Sequence, residues 1–191
     1  MRPSRDARRS RRVWGMRTLL AMRHGKSAWP DDPSVADVDR PLAKRGKRES
    51  RRIAEALVAR DQVPDAVICS PAKRARSTAK QMAKVWPVQV ERTIYEGLYG
   101  GGVAGGRAAL AALPDAARRV LLIGHNPALE DLVRMLTGRW VTLKTSTVAR
   151  IDIDIAFWRE MEYSHPGTLV YVLGVEQFTP GAEFPEYSRP G

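Results

Sequence analysis

The sequence predicts a three-layer α/β fold: helices on both faces of a mainly parallel central sheet, with one antiparallel strand at its edge. Three observations carry this. Short apolar runs bounded by turn or capping residues recur along the chain, helical apolar periodicities separate them, and one segment alternates with a period of two.

Taken in order, residues 18–22 are the first buried strand and 44–60 the first helix, with Ile53, Ala54, Leu57 and Val58 on one face. Residues 66–69 form the second strand. Ser70 caps the next helix, 72–85, with Pro71 as its first residue. Residues 99–106, holding Gly100, Gly101, Gly102, Gly105 and Gly106, read as a flexible rim connection. They do not run from a strand into a Lys-Ser or Lys-Thr helix start, so a phosphate cradle is the weaker reading. A helix at 107–113, a strand at 120–123 and a helix at 128–137 ending before Gly138 follow. In 148–155, Ile151, Ile153 and Ile155 alternate with Asp152 and Asp154, the pattern of a half-exposed strand near an edge. Residues 168–173 are the last strand.

The 191 residues, 43% hydrophobic and 28% charged, have the composition of an ordinary globular protein. Residues 1–15 read as a basic, disordered extension and 16–191 as a single domain. The extension holds six arginines against one aspartate, so five of the net +11 charges lie there and the body stays basic. That balance favours an anionic substrate or partner; the tail is better read as solvated than as bound to nucleic acid. Met16 is an alternative translation start to Met1. Val13-Trp14-Gly15 and no long apolar segment follow the basic residues, so neither a secretory signal nor a membrane span is expected, and cytoplasmic placement is. One cysteine, Cys69, excludes an internal disulfide.

In a parallel sheet, ligands gather beyond the carboxyl ends of the strands, and three of these exits carry phosphate chemistry. The first is Arg23-His24-Gly25: an imidazole nitrogen can attack phosphorus, a planar guanidinium can clamp the oxygens, and glycine admits close backbone approach. At the second, Ser70-Pro71-Ala72-Lys73-Arg74, Arg74 lies near the positive end of a helix. The third, Gly124-His125-Asn126-Pro127, puts an imidazole at an exit and Pro127 at a helix start. Together they describe a dianion pocket with a nucleophile in it. Two competing motifs fail. Gly25-Lys26-Ser27 lacks the upstream glycine of a P-loop, Leu20 standing in its place. Cys69 and Arg74 are separated by one residue too few for a cysteine-dependent phosphatase loop, so a buried structural cysteine is expected.

The ordered set 20–27, 39–46 (Asp39-Arg40-Pro41-Leu42-Ala43-Lys44-Arg45-Gly46), 70–75 and 124–127 resembles the histidine phosphatase superfamily, phosphoglycerate mutase-like in fold, and within it the phosphohistidine phosphatase (SixA-like) branch. The resemblance spans about residues 16–174. It implies a metal-free mechanism without cofactors, through a phosphohistidine intermediate. His24 is then the nucleophile, Arg23 and Arg74 phosphate clamps and His125 the second pocket histidine; Gly25 and Asn126, beside the two histidines at their strand exits, are expected to line the substrate. His165, in Ser164-His165-Pro166-Gly167, reads as a turn residue, so no metal cluster is expected.

A phosphoester would need a general acid to protonate its departing alkoxide, for which Glu96 is the sequence candidate and protonated His125 another. An imidazole leaving group, with a pKa near 6.5, needs less help. About forty residues separate Thr78 from Val120, too few for a sizeable lid. The expected substrate is therefore phosphohistidine on a protein. A phosphatase of small phosphoesters, or a catalytically silent phosphate- or nucleic-acid-binding module, remains open at this point.

Overall fold

In the computed structural model, which describes residues 15–29, 32–162 and 166–177, the first apolar run becomes the strand around which the others assemble. This is β1, Met16–Arg23; β2 is Ala66–Cys69, β3 Glu91–Ile94, β4 Arg119–Gly124, β5 Val148–Asp154 and β6 Gly167–Leu173. The helices are α1 (Lys44–Val58), α2 (Lys73–Met82), α3 (Gly102–Ala111) and α4 (Ala128–Thr137). The strand order is β3-β2-β4-β1-β5-β6. β3, β2, β4 and β1 pair in parallel, and β5 runs antiparallel to both β1 and β6.

Side chains alternate between the two faces of the sheet, and each face receives its own helices. Leu19, Ala21, Val120, Leu122 and Ile151 pack against Ala109 and Leu110 of α3 and Leu129, Leu132 and Val133 of α4. Leu20, Met22, Val67, Leu121 and Ile123 pack against Ile53 and Leu57 of α1 and Ala75, Ala79 and Met82 of α2. Nearly all of these side chains lose all contact with water. The three layers are those the sequence implies.

Three expectations need correction. The antiparallel strand lies one place in from the edge, because β6 covers its outer side; its polar alternation survives because Asp152 accepts hydrogen bonds from Thr18 and from Arg150. The glycine segment is not a flexible loop. From Gly102 it is the first turn of α3, and the glycines are there for contact: a Cβ on Gly105 would meet the carbonyl oxygen of Gly97 at 2.0 Å. Finally, α2 begins at Lys73 with Ala72 as its cap residue, so Pro71 lies in the preceding turn; Ser70 Oγ accepts the N–H of Ala72. The expectations for residues 1–14, for His165 and for the end of the chain lie outside the described residues.

Register builds the site. Arg23 pairs with Gly124 across β1 and β4, and Cys69 with Ile123 across β2 and β4. The three neighbouring strands therefore end level, and His24, His125 and Ser70 leave the sheet side by side, one strand spacing of about 4.8 Å apart.

Candidate active site

His24 is 7% exposed, and its ring is fixed from both sides. Nδ1 lies 2.7 Å from the carbonyl oxygen of Gly25, which can only accept, so Nδ1 carries the proton. Arg74 Nε, which can only donate, points at Nε2 from 3.3 Å. Nε2 therefore holds its lone pair toward the pocket. The loop after β1 is anchored behind the ring, where the Gly25 N–H donates to Thr78 Oγ1 at 3.0 Å. Gly25 has to be glycine, since a Cβ would come within 2.8 Å of Ser50 Oγ and 2.9 Å of the Gly46 carbonyl.

His125 faces it, with ring centroids 4.9 Å apart. Its Nδ1 accepts from Arg74 Nη2 at 3.4 Å, which leaves Nε2 to donate to Ser70 Oγ at 2.8 Å. One guanidinium thus touches both imidazoles. Burial is the largest cause that lowers the pKa of each ring, to about 4 for His24 and about 3 for His125. Arg74 and Arg23 push both in the same direction, and the neighbouring His24 lowers His125 further. Both imidazoles are neutral at ordinary pH, as a nucleophile must be.

Arg74 also donates to Asp37, Nη1 to its backbone carbonyl at 2.6 Å and Nη2, which reaches His125 as well, to Oδ2 at 2.9 Å. Asp37 also accepts from the Tyr99 hydroxyl at 2.9 Å and from Arg40 Nη1 at 3.0 Å. Burial pushes its carboxyl upward, but hydrogen bonds from Tyr99, Arg40 and Arg74 outweigh that and hold it at about 2. Tyr99 completes the wall, edge-on to His125 at 5.6 Å. Arg40 bonds Ser27 Oγ at 2.9 Å and stacks on Trp29, 3.5 Å from the ring centroid.

Of the four groups that the sequence assigns to the chemistry, His24, Arg23, Arg74 and His125, the fold brings His24, Arg74 and His125 into direct contact. Arg23 lies beside them: its Nη1 donates to the Leu143 carbonyl at 3.0 Å, while its Nε is buried without a partner. Asn126 shares that acceptor. Its amide nitrogen donates to Leu143 at 2.9 Å and to Glu130 at 2.7 Å, and its buried Oδ1 has no partner. Glu96 is exposed in the short 3-10 turn Glu96–Leu98, and no hydrogen bond among the described residues ties its carboxylate to the cluster. Cys69 is buried at the end of β2, and burial pushes its thiol up to about 11, which suits packing rather than attack. Asp37 and Tyr99 were not foreseen, and Ser70 was foreseen only as a helix cap. Among the described residues no group of three or more His, Cys, Asp or Glu is placed to hold a metal ion.

Chemically, the cluster is an unprotonated ring nitrogen surrounded by guanidinium and imidazole groups at the carboxyl end of a parallel sheet. Residues 19–101 match the histidine phosphatase superfamily (branch 1). An uncharacterised chloroplastic protein of Arabidopsis thaliana is 30% identical over 79% of this chain and 73% of its own length. The solved structure of the protein histidine phosphatase SixA complexed with tungstate superposes with a TM-score of 0.71 at 26% identity, covering 83% of this chain and 97% of that one. A candidate phosphohistidine phosphatase SixA from Nakamurella multipartitia gives 0.72 at 27%, covering 83% and 96%. The chain belongs to the histidine phosphatase superfamily, and that membership supports an enzyme of the phosphatase or mutase type. Within it, the chain falls on the SixA-like branch. No helix among the described residues is long and apolar enough to cross a membrane.

Proposed function

We propose that this protein is a phosphatase that removes phosphate from phosphohistidine on proteins, with His24 as the nucleophile and no resident metal or cofactor. One observation carries the reading: Gly25 holds the proton of His24 on Nδ1, so the Nε2 lone pair meets the bound phosphoryl group beside Arg74. The SixA structure is complexed with tungstate, an oxyanion of phosphate shape, which supports oxyanion binding by this fold.

Binding begins with the dianion. Arg74 turns its fork from Asp37 to the phosphoryl oxygens, Arg23 and Arg40 neutralise further charge, and the His125 ring lines the opposite side. Gly25 and Asn126 shape the floor. His24 Nε2 then attacks in line, forming a bond from nitrogen to phosphorus as the bond to the substrate imidazole breaks. That imidazole, protonated on its distal nitrogen by solvent, leaves neutral. Water next attacks phospho-His24 and gives inorganic phosphate and free His24. The bound dianion replaces the repulsion His125 feels from Arg74 by attraction, so His125 gains basicity as the phosphate arrives and, once protonated, hydrogen-bonds a phosphoryl oxygen; the leaving imidazole, already protonated on its distal nitrogen, takes no proton from it.

The choice of a P–N substrate rests on two features. Glu96 makes no hydrogen bond to the cluster, as suits a leaving group that departs without a strong acid. Between α2 and β4 the chain holds only β3, a 3-10 turn and α3, so no cap is inserted in this interval. An open pocket accepts a phosphate presented on a protein surface. The test is kcat/KM on a phosphohistidine-carrying protein against a panel of small phosphoesters, with Glu96→Gln beside wild type. The protein substrate is expected to win by at least tenfold and the variant to keep its turnover on it. Faster turnover of a small ester, or a large loss in Glu96→Gln on phosphohistidine, overturns the assignment.

A further inference from the structure

A second cavity, of about 460 Å³, opens on the α1 side of the sheet, lined by Arg45, Arg48, Arg52 and Lys144 against Glu49 and Glu176. It is tied to the nucleophile loop through Ser146 and through the lining residue Thr147, whose carbonyl accepts the Arg23 N–H at 3.1 Å. The Ser146 N–H donates to the carbonyls of both Arg23 and His24 at 3.2 Å, and its hydroxyl donates to Glu49 Oε2 at 3.3 Å. Ser146 is fully buried and holds a left-handed backbone, φ 59°, that a serine adopts only where its surroundings enforce it. The backbone of the nucleophile loop and the Glu49 wall of the cleft are thus braced on the same residue, one through its N–H and the other through its hydroxyl.

The charges of the cleft are arranged as a stripe. Arg45, Arg48 and Arg52 lie on one face of α1 at intervals of three and four, spanning about 10 Å along the helix. Glu49 is largely spent, with Arg45 Nε at 2.5 Å, and Glu176 answers Lys144 from 3.5 Å. Arg48 has no acidic partner among the described residues. The first turn of α1 carries no acid to offset its cations, so like charges crowd there and the cleft attracts anions.

Given the phosphohistidine phosphatase reading, on which this rests, we propose that the cleft docks a carboxylate-rich surface flanking the phosphohistidine of a protein substrate. The length of the stripe argues for a partner that makes several spaced contacts. A single second phosphate would need donors converging on one point, whereas these are spread along two helical turns and exposed to water.

The experiment uses two synthetic peptides carrying a chemically phosphorylated histidine, one flanked by glutamates and one by glutamines at the same positions. Wild type and Arg48→Glu are compared on both, and on phosphoramidate as a minimal P–N substrate. Arg48 is exposed, and a glutamate near the start of a helix favours the fold, so the variant stays native. The docking role predicts a KM at least fivefold lower for the glutamate peptide with wild type, and a rise of about tenfold in that KM alone in Arg48→Glu, with phosphoramidate turnover unchanged. Equal KM values for the two peptides, or a variant that loses nothing, overturn it. Tighter binding of an oligonucleotide than of the glutamate peptide, lost in Arg48→Glu, also overturns it and assigns the cleft to nucleic acid. Should wild type turn over phosphoramidate yet ignore the peptide flanks, only the docking role fails; no turnover of any P–N substrate removes the phosphatase reading beneath it.

Discussion

Arg74 and Asp37 are locked together, the guanidinium giving one nitrogen to the backbone carbonyl and another to the carboxylate of the same aspartate. The fork proposed to grip a phosphate is thus held by an internal anion. That aspartate is half exposed, so its grip is moderate and a doubly charged ligand can displace it.

Removing the charge while keeping the shape therefore strengthens ligand binding. Asp37→Asn is expected to bind inorganic phosphate or tungstate about three- to tenfold more tightly by calorimetry, because the competing carboxylate and its repulsion are gone. Weaker binding by the variant would show that Asp37 serves to aim Arg74 rather than to compete with the ligand.

The two imidazoles set a pH dependence. His24 and His125 have native pKa values of about 4 and about 3, below the ordinary 6.5, so below that pH the unfolded chain takes up protons that the native state refuses. Stability from these groups is full above pH 6.5 and drains away as pH falls toward 4. Asp37, at about 2, adds a loss only below the ordinary carboxylate range. Ring-proton NMR of the free enzyme should show neither His24 nor His125 titrating between pH 8 and pH 5, while the melting temperature falls by at least several degrees over the same span. A midpoint near 6.5 for either ring contradicts the buried, neutral pair.

Gly105 offers a test in which two readings differ in sign. Were the glycine run a loose connection, alanine would be neutral, or stabilising by up to about 1 kcal/mol through helix propensity. The close approach of the Gly97 carbonyl predicts instead that Gly105→Ala destabilises by about 1–3 kcal/mol in denaturant unfolding. A variant as stable as wild type would return the segment to the status of a linker.

Legibility tracked how each group is held. His24, Arg74 and His125 could be read because their positions follow from strand ends, and apolar runs of four to six residues mark those ends plainly. The level register of β1, β4 and β2 then converged them without further information. Asp37 opens one short 3-10 turn and Tyr99 closes another, and neither turn carries a hydrophobic period, so nothing in the sequence says that they meet. The start of α3 was missed because glycine is a poor helix former; its reason for being there, contact with another backbone, appears only in three dimensions. β3 is wholly exposed and shows no apolar run. The basic cleft was hidden similarly, since Arg45, Arg48 and Arg52 read as an ordinary solvated helix face until Lys144 arrives from elsewhere in the chain.

The central claim, that His24 Nε2 carries the phosphoryl group, is tested most directly by trapping. The enzyme is mixed with a protein bearing labelled phosphohistidine, quenched in alkali within the first turnover, and the label mapped on its peptides. The account predicts acid-labile, base-stable label on Nε2 of His24 and none on the His24→Ala enzyme. Label on His125 or Cys69, or label persisting in His24→Ala, would contradict it.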